Sequence, residues 1–180
     1  MKSVKTAAAV AAAGTLLATG SLALAAGTSG PSPKGGAIKV FVVNSSETKG
    51  TITITGAIGD YGTVLSTDKN GKLDPNGAFQ RARLKHGGLV IDTSGLDKRF
   101  AHLRPNFNPD NCSASFSVTG PTKIVSGTGA YAGATGNVKV TVDFAGLTPR
   151  TKAGKCNMAN NAPTLGSFNV VTGSGTISFK

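Results

Sequence analysis

The sequence predicts an all-β fold: a single antiparallel barrel of about eight strands, with a β-sandwich as the alternative arrangement. Three observations predict it. Apolar residues recur at every second position in one segment after another, which gives each segment one apolar comb and one wet comb. Turn-forming residues punctuate these segments at short intervals, and no long stretch after the first 25 residues repeats apolar side chains at helical spacing. Strands without helices to cover them bury their apolar faces against each other, either by stacking two sheets or by curling one. Curling also removes the exposed edges that an open sheet must otherwise protect.

The chain opens with Lys2 and Lys5, continues through a nearly uncharged run rich in Ala and Leu, and reaches Ala23-Leu24-Ala25. A short basic start, an apolar run and a small-residue site define a secretory signal peptide, assigned here to residues 1–25. The run is long enough to span a bilayer. It is built largely from Ala, Gly, Thr and Ser, however, and no stop-transfer pattern follows, so cleavage is expected rather than anchoring. Residues 26–36, rich in Gly, Pro and Ser, read as a flexible linker. Residues 37–180 are left as one barrel domain, of a size that buries about 70% of its unfolded surface.

Within that domain, Thr51-Ile52-Thr53-Ile54-Thr55 alternates cleanly. So do Ala114, Phe116 and Val118 against Ser113, Ser115 and Ser117, and Val138, Val140, Val142 and Phe144 against Lys139, Thr141 and Asp143. Further strands are expected at 38–43, 61–66, 79–84, 88–92, 167–171 and 175–179, making eight or nine in all. Asp68-Lys69-Asn70-Gly71 and Pro75-Asn76-Gly77 are hairpin-grade turns, because Asn and Gly tolerate positive φ. Two longer connections, 96–111 and 145–163, interrupt the meander, and no helix is expected. Loops of that length function or are stapled down.

Composition narrows the chemistry. The chain carries a formal charge of +11, and removal of Lys2 and Lys5 leaves 17 basic residues against 8 acidic ones, or +9. These cations are scattered, and such a diffuse field favours polyanions in general. The two cysteines, Cys112 and Cys156, are expected to form a disulfide in an oxidising space. No metal is expected, since the two histidines, His86 and His102, lie at no ligand spacing from a cysteine. No cofactor is expected either.

The densest motif is Gly127-Thr128-Gly129-Ala130-Tyr131-Ala132-Gly133-Ala134-Thr135-Gly136. A dinucleotide fingerprint needs Gly-x-Gly-x-x-Gly opening a helix, so that backbone amides face a pyrophosphate. Here the spacing differs and a strand pattern follows from Asn137. Nor does Gly-Lys-Ser/Thr end the run, so a P-loop is excluded. The reading is geometric: Gly127, Gly129, Gly133 and Gly136 form a strand-to-strand corner, with Tyr131 lying over the bare glycines. Together with Ile124-Val125-Ser126, this run resembles the G-T-G-x-[FY]-x-x-A-x-G corner of the allene oxide cyclase and dirigent barrel superfamily. Gly173-Ser174-Gly175-Thr176-Ile177-Ser178-Phe179 is similar to the chain ending of its small exported actinobacterial branch. The resemblance implies an eight-stranded barrel with an apolar interior, which in plant members hosts cyclisation or stereoselective coupling. Their catalytic residues lie outside the matched corner, and none is carried onto this chain.

Other chemistries find little support. Both histidines sit among cations, with no G-x-S-x-G elbow for a hydrolase. The acidic residues, Glu47 and seven aspartates, fall mostly in turns and loop flanks, which disfavours paired glycosidase carboxylates. Leu73 occupies the position where a calcium loop needs Gly. The segment 98–107 interleaves bases and aromatics, which makes Lys98, Arg99 and Arg104 candidates for binding a polyanion, with wall polymer favoured over nucleic acid. In the plainer reading Phe100 and Leu103 cap the barrel end while the arginines stay wet. The expected function is a secreted, non-enzymatic binding or surface-interaction module. Its partner would be a small apolar ligand at a mouth lined by Phe116, Val140, Val142 and Phe144, or an anionic cell-surface polymer. An enzyme acting on an apolar substrate inside the barrel is the rival.

Overall fold

The computed structural model describes residues 34–159 and 163–180. The signal peptide and linker residues 26–33 lie outside them. The elements are β1 (Gly36–Asn44), β2 (Lys49–Gly56), β3 (Asp60–Thr67), β4 (Phe79–Leu84), β5 (Gly87–Asp92), α1 (Ser94–Phe100), β6 (Asn106–Asn108), β7 (Ser113–Gly129), β8 (Ala134–Leu147) and β9 (Gly166–Phe179). Strands β1 to β5 form an antiparallel meander, β7 to β9 form another, and β1 pairs with β9. Strand β5 returns to pair with β7 and closes an eight-stranded ring. The fold is therefore the barrel and not the sandwich, and the short β6 is an extra strand on β7.

Period-two alternation places the core. Along β1, Ile38, Val40 and Val42 are buried while Phe41 and Val43 face solvent. The register sets Val40 opposite Ile54 on one side and Gly173 on the other, so the inward residues meet in layers. Strands β7 and β8 are longer than the barrel needs. Their paired segments 113–117 and 143–147 carry the sheet past the rim, and β6 and α1 flank β7. Near the opposite end, Val90 faces Ser126 while Ile91 faces Ile124, which leaves Val125 as an unopposed, exposed bulge residue. A bulge there tightens the twist just before the corner.

Two sequence expectations need correction. A helix exists: α1 occupies the start of the connection expected to be irregular. Leu96, Phe100 and Leu103 recur at i, i+4 and i+7, which is helical spacing, and all three pack into or against the core. Asp92 accepts a hydrogen bond from the Ser94 amide at 2.8 Å, and the Thr93 carbonyl accepts from the Leu96 and Asp97 amides, which starts the turn. The helix lies directly on β7, since a Cβ at Gly120 would stand 2.8 Å from the Leu96 Cα. In addition, segments 167–171 and 175–179 are one continuous strand. Gly173 and Gly175 do not break it, because β8 comes close to both: a Cβ at Gly173 would lie 2.8 Å from Val140 Cγ1, and at Gly175 one would meet the Asn137 carbonyl and lie 2.7 Å from the Val138 Cα.

The disulfide is present. Cys112, just ahead of β7, is joined to Cys156, in the connection after β8, across a sequence separation of 44. It staples together the two long connections beside the overhanging sheet.

Candidate functional site

The barrel encloses a cavity of about 540 Å³. Its walls are aliphatic, supplied by Val40, Ile52, Val64, Leu89, Val140 and their neighbours. Small residues hold inward positions on four strands, Gly50 on β2, Ala82 on β4, Gly120 on β7 and Gly173 on β9, and neighbours close over the glycines: Asn44 and Val42 over Gly50, Leu96 over Gly120 and Val140 over Gly173. An eight-stranded barrel stands at the size where its own side chains or one small ligand can fill the interior. Here the interior is left open, and the volume falls in the range of small-molecule sites.

Polar groups gather at one end only. The β1–β2 turn brings Glu47 and Lys49, the β3–β4 connection brings Asn76, and α1 brings Asp97 over the rim. Asn44 at the end of β1 donates from Nδ2 to Asn169 Oδ1 of β9 at 3.0 Å, so an amide pair bridges the strands at the mouth. Burial of Asp97 beside α1 pushes its carboxyl above the usual range. A hydrogen bond from Thr93 opposes that shift, and the nearby Asp92 charge adds to it. Phe100 closes part of the mouth, edge-on to Phe116 with ring centroids 5.9 Å apart.

The far end is sealed by the glycine corner. Gly129 and Gly133 take φ of +61° and +76°, values that side-chain-bearing residues rarely adopt, and the turn between them points Tyr131 into the core. Tyr131 is 3% exposed, and its hydroxyl donates to Asp60 Oδ2 at 2.6 Å. The same carboxylate accepts from the Tyr61, Lys85 and His86 amides, and His86 Nδ1 lies 3.2 Å from Oδ2. Burial alone would raise the Asp60 pKa. The hydrogen bonds from Tyr131 and from the His86 and Tyr61 amides outweigh it and hold the carboxyl below its ordinary value. With its acceptor positions so occupied, Asp60 serves as a structural bolt between the corner and the β2–β3 and β4–β5 turns.

The sequence-predicted candidates divide. Val140 and Val142 line the cavity. Phe116 and Phe144 do not: they stack on each other at 5.0 Å above the rim, where β7 and β8 overhang, and border a separate open depression beside Leu103, Arg104 and Phe168. Their strands outrun the barrel, so the same inward phase no longer points into the lumen. Lys98 and Arg99 are exposed in the last turn of α1, and Arg104 is exposed just beyond it. Gly127, Gly129, Tyr131, Gly133 and Gly136 form the corner. Sequence reading did not single out the amide pair Asn44–Asn169 or the role of Asp97. The available signal was phase, since Asn44 continues the inward series Ile38, Val40, Val42 and Asn169 precedes Val171 by two.

The fold and its site define an antiparallel barrel with a closed base, an aliphatic lumen and a polar mouth. Comparison with protein-family models, curated proteins and solved structures finds no match.

Proposed function

We propose that this chain is an exported, non-enzymatic binding protein that holds one small apolar molecule in its barrel. The observation that carries the reading is the 540 Å³ aliphatic cavity, open at a polar rim. Export is supported by the signal-peptide pattern of residues 1–25 and by the Cys112–Cys156 bridge, which persists in oxidising compartments. Membership of the allene oxide cyclase and dirigent-like barrels is supported by the corner residues, which occupy a barrel corner here. Burying an apolar ligand in such a lumen contributes roughly 25 cal/mol per Å² removed from water.

The test is native mass spectrometry of protein from culture supernatant, followed by titration with aliphatic ligands. A co-purifying small molecule, or saturable binding abolished by Val140→Phe, supports the reading. A lumen that binds none of them overturns it.

A second reading, a cationic binder of wall polymer or anionic membrane surface, draws on one observation. The ion pair found among the described residues joins His86 to Asp60, so the lysines and arginines there stand free of carboxylate partners. Lys98, Arg99 and Arg104 would then form the contact patch, and retention on purified cell wall would weaken between about 50 and 500 mM NaCl.

A further inference from the structure

The chemistry of the cavity lining bears on what the ligand's polar end must be. Three buried hydroxyls face the lumen, and each proton already has an acceptor within the protein. Ser66 donates to the Asp74 carbonyl at 2.7 Å, Thr122 to the Val138 carbonyl at 3.0 Å, and Thr93 makes a longer 3.5 Å bond to Asp97 Oδ2. The donors of the wall are therefore engaged, while lone pairs remain. The rim adds two carboxylates, Asp97 and Glu47, against one ammonium, Lys49. The side-chain amides there can accept as well as donate. A ligand carboxylate lowered into this lumen would bring negative charge toward the two acidic side chains, and apart from Lys49 the donors it would meet at the rim are uncharged hydroxyls and amides such as Thr48, Asn76 and Gln80. A hydroxyl or amine on the same tail would meet acceptors.

Resting on the ligand-binding reading above, we propose that the cavity selects an aliphatic molecule whose polar end is a hydrogen-bond donor without negative charge, an alcohol or a primary amine, seated at Asp97. The tail lies among Val40, Leu89 and Val140, and the head stays at the rim. Asp97 carries its charge in a partly desolvated position beside a second carboxylate, Asp92, and a donor there relieves both conditions.

One opposing effect must be separated. The whole molecule is strongly basic, and its long-range field attracts anions. That field is screened beyond about 10 Å at 0.1 M salt, whereas contacts at the rim are shorter than that.

The experiment titrates the full protein with decanol, decylamine and decanoate by calorimetry in about 0.3 M NaCl, with methyl NMR shifts of the wall valines and leucines locating the tail. Decanol and decylamine are expected to bind at least about tenfold more tightly than decanoate, from charge repulsion at short range. Asp97→Asn keeps the side chain's shape and removes its charge, and is expected to shrink the preference to about threefold or less while decanol still binds; Glu47→Gln, at an exposed turn, is expected to narrow it in the same direction. Decanoate binding as tightly as decanol, or a preference unchanged by Asp97→Asn, overturns the head-group assignment and leaves the cavity reading standing. Failure of all three ligands to perturb the wall methyls overturns the cavity reading, and the head-group assignment falls with it.

Discussion

Asp60 and Tyr131 show how a single side chain can fix a corner. Tyr131→Phe keeps the ring that lies over Gly87 but removes the donor from a buried carboxylate. The expected cost is about 1.5–3 kcal/mol, the range for a hydrogen bond to a charged group, read as a fall in the denaturant midpoint. Asp60 also sets an acid limit. Its folded pKa lies below the unfolded value, so the stability it contributes is present above the unfolded pKa, near 3.8, and is lost as pH falls through the folded value. Asp60→Asn should therefore be less stable than the parent at pH 7, with the gap closing in acid, as followed by thermal melts from pH 7 to pH 2. Asp97 has the opposite sign. Its raised folded pKa favours the protonated form, a contribution present below the unfolded pKa and lost as pH rises through the folded one. At neutral pH its ionised carboxyl weighs against folding. Asp97→Asn should melt higher than the parent at pH 7 and equally at pH 3, and a lower melting point at pH 7 would show the charge to be stabilising.

Among the elements, α1 and β7 are the most closely coupled, because Gly120 lets the helix rest on the strand. Gly120→Val would place a branched side chain against the Leu96 backbone and Arg99 Cγ, lifting α1 and Phe100 off the mouth. The expected outcome is faster amide exchange in residues 94–103 with protection of β1–β5 retained. The helix also marks the limit of sequence reading. Strand phase was legible because apolar side chains alternate with polar ones over five or more residues in β2, β7 and β8. The seven-residue α1 offered only Leu96, Phe100 and Leu103 as a stripe, flanked by Lys98 and Arg99, and a pattern that short cannot be told from a loop by periodicity alone. The merged β9 was hidden for a different reason. Gly173 and Gly175 are read as punctuation, yet in the sheet their missing side chains admit Val138 and Val140 of β8 at the first and the β8 backbone at the second.

At the scale of the whole molecule, the corner motif and the disulfide were legible because both are local or nearly unique: ten residues in one case, the only two cysteines in the other. The cavity was not. Its walls come from Val40, Ile52, Val64, Leu89 and Val140, far apart in sequence, and pairing register alone brings them around one interior. Phe116 and Phe144 were placed in the lumen because phase gives the face of a strand but not its height, and β7 and β8 outrun the barrel. The bridge sits beside that overhang and away from the base. In the chain-entropy model a closure of 44 residues contributes about 4 kcal/mol, so Cys112→Ser with Cys156→Ser should lower the denaturant midpoint markedly. Because β5–β7 pairing closes the ring independently of it, wall-methyl shifts on ligand addition should survive in the double variant under folding conditions. Their loss would show that the staple also shapes the lumen.

The seam between β1 and β9 joins Gly36 to Ile177, nearly the full span of the described chain. The ring cannot shut until its final strand has been synthesised and threaded into place, so every earlier intermediate is an open sheet with two bare margins. Clipping even the last few residues, from Gly175 onward, should leave a sticky, gaping sheet in place of a slightly shortened tube.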